Sequence, residues 1–218
     1  MATKIFIILV CLISIVVPGT SDTTEYSIFW KGRVYNGKHI KIEACPYEVS
    51  MNIHQNNICS GSIISDYYVV TAARCITTLL YVLEPFKFGR NCQKIKLLES
   101  EKEIRDGTVA VISGWGRIGS TYPYKLRFAR VPIIGKTECN ETYSSDGGIG
   151  AGQICAGYMK VGGKDACDGD SGGPLVVNRM LAGIVSYGPD CGKSGAPGVY
   201  TEISYFKMWI MQQTNFIL

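Results

Sequence analysis

Short runs rich in Val, Ile and Tyr, bounded by Gly, Asn, Asp or Ser, recur along the chain from residue 47 onward. Such runs between turn formers predict the strands of a sandwich or barrel. They cover Tyr47–Ile53, Ser62–Thr71, Thr108–Ser113, Leu126–Ile134, Pro174–Val177, Leu181–Val185 and Gly198–Ile203. The last segment changes period. Phe206, Trp209 and Ile210 fall at i, i+3 and i+4, which predicts one amphipathic helix closing the chain. At the other end Lys4 precedes an apolar stretch, Ile5 to Val17, interrupted by Ser14, and the small residues after Pro18 suit cleavage. That is the layout of a secretory signal peptide, expected over 1–19, and it is too short to span a bilayer comfortably. A short polar propeptide, 20–33, is then expected to end at Arg33. There is no internal repeat and no low-complexity tract.

Composition narrows the class. With 218 residues, 46% hydrophobic and only 18% charged, the chain can bury a sizeable core and is not a disordered tail. Its 25 glycines against 8 prolines, with 13 tyrosines, favour a turn-rich β protein over a helical bundle. The formal net charge of +4 is spread along the chain without a run of Lys and Arg, so nucleic acid is not an expected partner. No second long apolar run follows the leader, so no membrane partner is expected either.

Cysteine usage agrees with export. Of nine cysteines, Cys11 lies in the leader, which leaves Cys45, Cys59, Cys75, Cys92, Cys139, Cys155, Cys167 and Cys191. An even set in an oxidising compartment predicts four disulfides, with the pairing open at this point. A zinc site would want CxxC pairs or a histidine cluster, and the only histidines are His39 and His54. No metal and no other cofactor is expected.

The chemistry-bearing segment is Asp165-Ala166-Cys167-Asp168-Gly169-Asp170-Ser171-Gly172-Gly173-Pro174. A serine set among glycines lets backbone N–H groups approach a reacting carbonyl, as an oxyanion hole requires. A bare Gly-Asp-Ser-Gly turn is weak by itself, and its companions decide the matter. They are Gly32-Arg33-Val34-Tyr35-Asn36-Gly37, Ser113-Gly114-Trp115-Gly116, Gly183-Ile184-Val185-Ser186-Tyr187-Gly188, Pro197-Gly198-Val199-Tyr200 and the terminal segment around Trp209. In this order, from about Arg33 to the C-terminus, the chain resembles the trypsin-like branch of the chymotrypsin family of serine proteases.

The resemblance implies an all-β fold of two antiparallel barrels with a C-terminal helix, the first barrel over 34–107 and the second over 108–218. It puts Ser171 in the place of the nucleophile, with the N–H groups of Gly169 and Ser171 as the oxyanion hole. Cleavage after Arg33 would free the amine of Val34 to pair with Asp170. Asp165 matches the floor of the specificity pocket, with Gly188 and Gly198 as its uncrowded walls. Ser186 lies in the strand that pairs with substrate backbone. A buried carboxylate at the end of an open slot selects Arg or Lys, since a wrong side chain leaves it unpaired. Asp168 stands where the family more often has an uncharged or basic residue; it either strengthens a preference for cations or is a solvated rim charge. The family's disulfides imply Cys59–Cys75, Cys139–Cys155 and Cys167–Cys191. Cys45 and Cys92 have no common family bond and are expected to pair with each other. Asn140-Glu141-Thr142 is a glycosylation sequon.

The pattern then breaks twice. The family's base belongs between Ala73 and Cys75, and the residue there is Arg74. A general base must accept the serine proton near neutral pH and return it to the leaving amine, whereas Arg has no acceptor and stays protonated. Neither His39 nor His54 stands in a motif that could substitute. The triad carboxylate is also missing: no Asp occurs between Asp66 and Asp106. In the family's type case the base precedes the serine by about 138 residues and the carboxylate by about 93. Here Arg74 precedes Ser171 by 97 residues, about 41 too few against that spacing. Counting back about 93 residues lands on Thr78, before Leu79-Leu80, which resembles the tail of the family's carboxylate segment. One contiguous block of the first barrel is expected to be absent, leaving strand edges unpaired.

Three functional readings follow. The first is a secreted, extracellular, monomeric homologue that is catalytically inactive and uses its Arg/Lys pocket to hold a basic peptide, a protein substrate or a protease inhibitor. The second is an active serine endopeptidase cleaving after Arg or Lys, which Ser171 and Asp165 alone support. The third is a product of altered splicing or a faulty gene prediction that does not fold stably.

Overall fold

In the computed structural model, residues 6–8, 34–53, 56–75, 79–99, 104–117 and 125–215 are described. Among these residues thirteen strands, β1 (Phe6–Ile8), β2 (Lys38–His39), β3 (Glu48–Ile53), β4 (Asn56–Ile63), β5 (Tyr68–Val70), β6 (Leu79–Tyr81), β7 (Lys96–Leu97), β8 (Val109–Gly114), β9 (Arg127–Ile134), β10 (Gln153–Ala156), β11 (Pro174–Val177), β12 (Met180–Tyr187) and β13 (Gly198–Glu202), form two sheets. The α-helices among them are α1 (Lys136–Thr142) and α2 (Ile203–Gln213).

The second sheet closes on itself. Its order β10-β13-β12-β11-β8-β9 returns through a β9–β10 pairing, which makes a six-stranded antiparallel barrel without free edges. Alternation along β9, with Ala129, Val131 and Ile133 inside, fills the barrel together with Ile112, Leu175, Ala182 and Tyr200. Two short strands from the 34–107 segment also join this sheet: β2 beside β9, and β7 in parallel beside β12.

The first sheet is an open path, β1-β3-β4-β5-β6. Val49, Met51, Cys59, Ile63, Val69, Val82, Phe86 and Cys92 pack on its inner side. The outer edge of β3 is taken by β1, antiparallel, with Phe6 opposite Asn52 and Ile8 opposite Ser50. An apolar stretch that favours extended backbone thus lies on an edge that would otherwise expose bare N–H and C=O groups. The rest of residues 1–33, where a leader and propeptide are expected, lies outside the described residues.

A third apolar cluster joins the two sheets. It brings Ile64 and Val70 of the first together with Leu97, Val176, Leu181 and Ile184 of the second, beneath Ile203 and Ile210 of α2. Burying each Leu, Ile or Val there contributes about 1.5–3 kcal/mol.

Four expectations need correction. The run Ser62–Thr71 is two strands, because Ile64 and Ser65 turn back onto the Tyr68 carbonyl. Most of β4 lies before that run, in a polar stretch whose Ser60 and Ser62 are buried. Trp209 remains 40% exposed, since Ile203, Phe206 and Ile210 carry the packing face of α2. Cys45 and Cys92 do not pair. Cys45 is free and buried beside Trp115 and Leu126, whereas Cys92 is disulfide-bonded and belongs to the core of the first sheet. The other three bonds, Cys59–Cys75, Cys139–Cys155 and Cys167–Cys191, form as the resemblance implies.

Candidate functional site

Ser171 sits at the seam of the two sheets, and backbone bonds fix its turn from both sides. The Ser60 N–H donates to the Ser171 carbonyl at 2.7 Å, and the Gly172 N–H donates to the Val185 carbonyl at 2.9 Å. Gly172 has φ +82°, and a Cβ there would collide with Thr71 Oγ1 and the Ser60 carbonyl, so glycine alone lets the turn press against β4. Gly169, at φ +94°, is held by its carbonyl, which accepts from Asn57 Nδ2 at 2.9 Å and Ser60 Oγ at 3.2 Å. Both donors come from β4, over a hundred residues earlier. With the carbonyls so engaged, the N–H groups of Gly169 and Ser171 meet no acceptor among the described residues.

Arg74 reaches this turn directly: its Nη2 donates to Ser171 Oγ. Burial lowers the guanidinium pKa from its ordinary value and the nearby Asp168 carboxylate opposes that shift. The position the family gives to a neutral ring is therefore filled by a donor-only cation. Asp168 is itself engaged, since Arg117 grips its Oδ2 through Nε at 3.0 Å and Nη2 at 2.7 Å, in an exposed pair. His39 lies on β2, beside Arg127 of β9; His54 and Thr78 fall outside the described residues.

Asp165 is only 5% exposed. Its Oδ1 accepts from the Ala166 N–H at 2.8 Å and its Oδ2 from the Gly192 N–H at 3.0 Å. Burial raises its pKa to about 6, against those two bonds, which lower it. A Cβ on Gly198 would lie 2.9 Å from Asp165 Oδ1, so glycine there lets the strand press against the carboxylate, whereas one on Gly188 would meet the Gly198 Cα at 3.7 Å. The Tyr200 hydroxyl lies beside Gly198; it is buried and has no hydrogen-bond partner among the described residues. Ser186 lies in β12 where its pairing with β13 shifts register between Val185 and Tyr187.

Asp170 is fully buried. Its Oδ1 accepts from the Gly116 N–H at 2.6 Å and its Oδ2 from the Cys167 N–H at 2.9 Å. Burial pushes its pKa well up, and Gly114 and Gly116 leave it room that any Cβ would fill. Val34 is fully buried in the barrel core, and the Tyr35 N–H donates to the Asp165 carbonyl at 3.0 Å, which docks the chain just after Arg33 against Asp165. Arg33 lies outside the described residues. Asn140 is exposed on α1, its Oδ1 accepting from the Ile149 N–H at 3.0 Å.

Two features of the site have no sequence signal in a single chain. The Asn57–Ser60 clamp on Gly169 depends on a contact between distant segments. Glu48 lies near Asp170 with both carboxylate oxygens buried and unbonded; burial raises its pKa strongly and the adjacent Asp170 adds to the rise, while the Ser113 hydroxyl stands near enough to ease it without a bond of normal geometry. A buried carboxyl at that position could only be found from the fold.

No helix among the described residues is long and apolar enough to cross a membrane. The trypsin family model matches residues 34–82 and again residues 77–210. The two matched ranges overlap at residues 77–82, the stretch that contains Thr78. Hypodermin-B of Hypoderma lineatum is 33% identical over 259 aligned positions, covering 96% of this chain and 98% of that protein. Trypsin 5G1 of Aedes aegypti is 31% identical, with 83% and 85% covered, and trypsin I-P1 of Gallus gallus is 32% identical, with 82% and 88% covered. With a closed second barrel, three matching disulfides and these similarities, the chain belongs to the trypsin family of serine proteases.

Proposed function

We propose that this protein is a secreted, non-catalytic member of its family that binds Arg or Lys side chains in the pocket floored by Asp165. The observation that carries the reading is the Arg74 guanidinium seated on Ser171 Oγ. Attack by a serine hydroxyl needs a partner that removes its proton and then delivers one to the leaving amine. Arg74 can do neither at neutral pH, because it has no acceptor and holds its own protons too tightly. The binding parts are independent of that loss: Asp165 stays buried beside Gly198, and the Gly169 and Ser171 N–H groups remain available.

In this reading the leader is removed on export and cleavage after Arg33 frees Val34. Its ammonium would meet Asp170, whose burial among backbone donors leaves no cation beside it among the described residues. The protein acts as a monomer on a basic peptide, a protein substrate or an inhibitor, without hydrolysing it. Asn140 carries a glycan.

Hydrolysis of a fluorogenic arginine amide by protein cleaved after Arg33, beside its Ser171→Ala variant, tests the reading. Equal, background rates are expected. Turnover at ordinary protease rates that disappears in the variant would instead establish an active endopeptidase.

A further inference from the structure

The chemistry beside Ser171 distinguishes two kinds of basic ligand. Resting on the pocket reading above, we infer that this site selects peptides that end in a free C-terminal Arg or Lys, and discriminates against the same residue within a chain. In the family, the group at position 74 faces the leaving nitrogen of the bond after the basic residue. In this chain that group is a guanidinium, which offers only N–H donors. An internal Arg or Lys would direct the N–H of the next residue towards it, donor against donor, with no acceptor for either. A C-terminal residue places a carboxylate oxygen there instead.

The remaining contacts fit both ends of that ligand. One carboxylate oxygen can accept from the Gly169 and Ser171 N–H groups, which meet no acceptor among the described residues and whose turn is locked by Asn57, Ser60 and the Ser60 N–H. The other can accept from the exposed Arg74 guanidinium, giving a charge-assisted bond beside Ser171. The opposing charge is Asp168, and its carboxylate is held by Arg117. The side chain of the ligand would reach towards the buried Asp165, near the buried Tyr200 hydroxyl, which has no hydrogen-bond partner among the described residues. A peptide ending in Arg or Lys is the product class of cleavage after basic residues, so the site is built to hold what an active relative releases.

The test is calorimetric titration of the purified protein with acetyl-Gly-Gly-Arg and with its C-terminal amide, alongside the melting shift caused by benzamidine. The free acid is expected to bind about 10-fold or more tightly than the amide. Arg74→Gln should bring that ratio to about one, and Arg74→Lys, which keeps a cation, should restore most of the preference. The benzamidine shift, measured on each variant, shows that its pocket is formed. Equal affinity for acid and amide with a normal benzamidine shift would overturn this inference and leave the pocket reading standing. A preference that survives in Arg74→Gln would overturn the role of Arg74. If neither peptide nor benzamidine binds, the pocket reading fails and this inference fails with it.

Discussion

The two sheets differ in the way that matters for function. The second is a closed barrel whose strands are paired on both sides, and it carries Asp165, Gly169, Asp170, Ser171 and the glycine wall. The first is an open path whose ends are β1 and β6, and it should supply the base and its orienting carboxylate. In the proposed reading the carboxylate is lost with the missing block of the open sheet, and Arg74 takes the place of the base on the same side. On that reading binding and proton transfer draw on different halves of the molecule, so one can be lost while the other keeps its geometry. What the first sheet still gives the site is structural: Asn57 and Ser60 hold Gly169, and Ser60 holds Ser171.

Restoring the base alone should show how completely the two roles have separated. Arg74→His would return an imidazole with nothing to fix its tautomer, and misorienting it in the family's type case costs about 10⁴-fold. Amidase activity is therefore expected to remain about 10⁴-fold below that of an intact triad. Normal rates in this variant would mean that another carboxylate orients the ring.

The next largest effect compares the halves directly. Cys59–Cys75 in the first sheet and Cys139–Cys155 beside the second have the same sequence separation, 16 residues. The unfolded-state entropy each removes is then equal, worth about 3 kcal/mol. Replacing each pair by alanines should cost at least that much in denaturant unfolding, and the excess should fall on Cys59–Cys75, where no closed ring of strands compensates. Equal losses would mean that the open sheet is as well tied as the barrel.

Asp165 gives a pH-dependent effect confined to the second barrel. Its amidinium ligand needs the ionised carboxylate, so benzamidine affinity should weaken as pH falls through about 6 and be unchanged well above it. Asp165→Ala should abolish the melting shift, which for the unaltered protein is about 2.7 kcal/mol at a ligand concentration 100 times Kd. A shift that persists in the variant would place the ligand elsewhere.

The smallest effect lies where the sheets meet, at Glu48. Its folded pKa is raised, so the folded state keeps a proton that the unfolded chain gives up above about pH 4.3. Its contribution is therefore fully present in acid and is lost as pH rises towards the folded pKa. Glu48→Gln, which cannot ionise, should flatten that decline and stabilise the protein at neutral pH by about 1–2 kcal/mol. Thermal melts of both proteins between pH 4 and 8 would show it; a variant destabilised at every pH would mean that the carboxyl has a partner worth keeping.

The sequence made the second barrel more legible than the first, for a physical reason. Pro174–Val177 is an unbroken apolar run between turn residues and is observed with the same limits as β11. In β4, Asn57, Ser60 and Ser62 face other strands and loops, so a strand that is central in space reads as polar in the chain. The Ser171 segment was recognisable because backbone demands on glycine are local. The Asn57 clamp and the Glu48–Asp170 proximity depend on long-range contacts and left no trace. Pairing Cys45 with Cys92 fails because one lies against Trp115 and the other inside the first sheet, a separation that cysteine arithmetic cannot see.

Cys45 also gives the molecule an internal clock. It is a free thiol, 2% exposed, and burial beside Glu48 pushes its pKa up to about 11, so it is shielded both sterically and as a nucleophile. Its neighbours, Trp115 and Leu126, belong to the second-barrel side, while Tyr47 leads into β3. Alkylation of Cys45 therefore requires this junction to open, and it advances at the opening rate once reagent is concentrated enough to outpace reclosing. The chain thus reports, through one sulfur atom and without any added label, how often its two halves part.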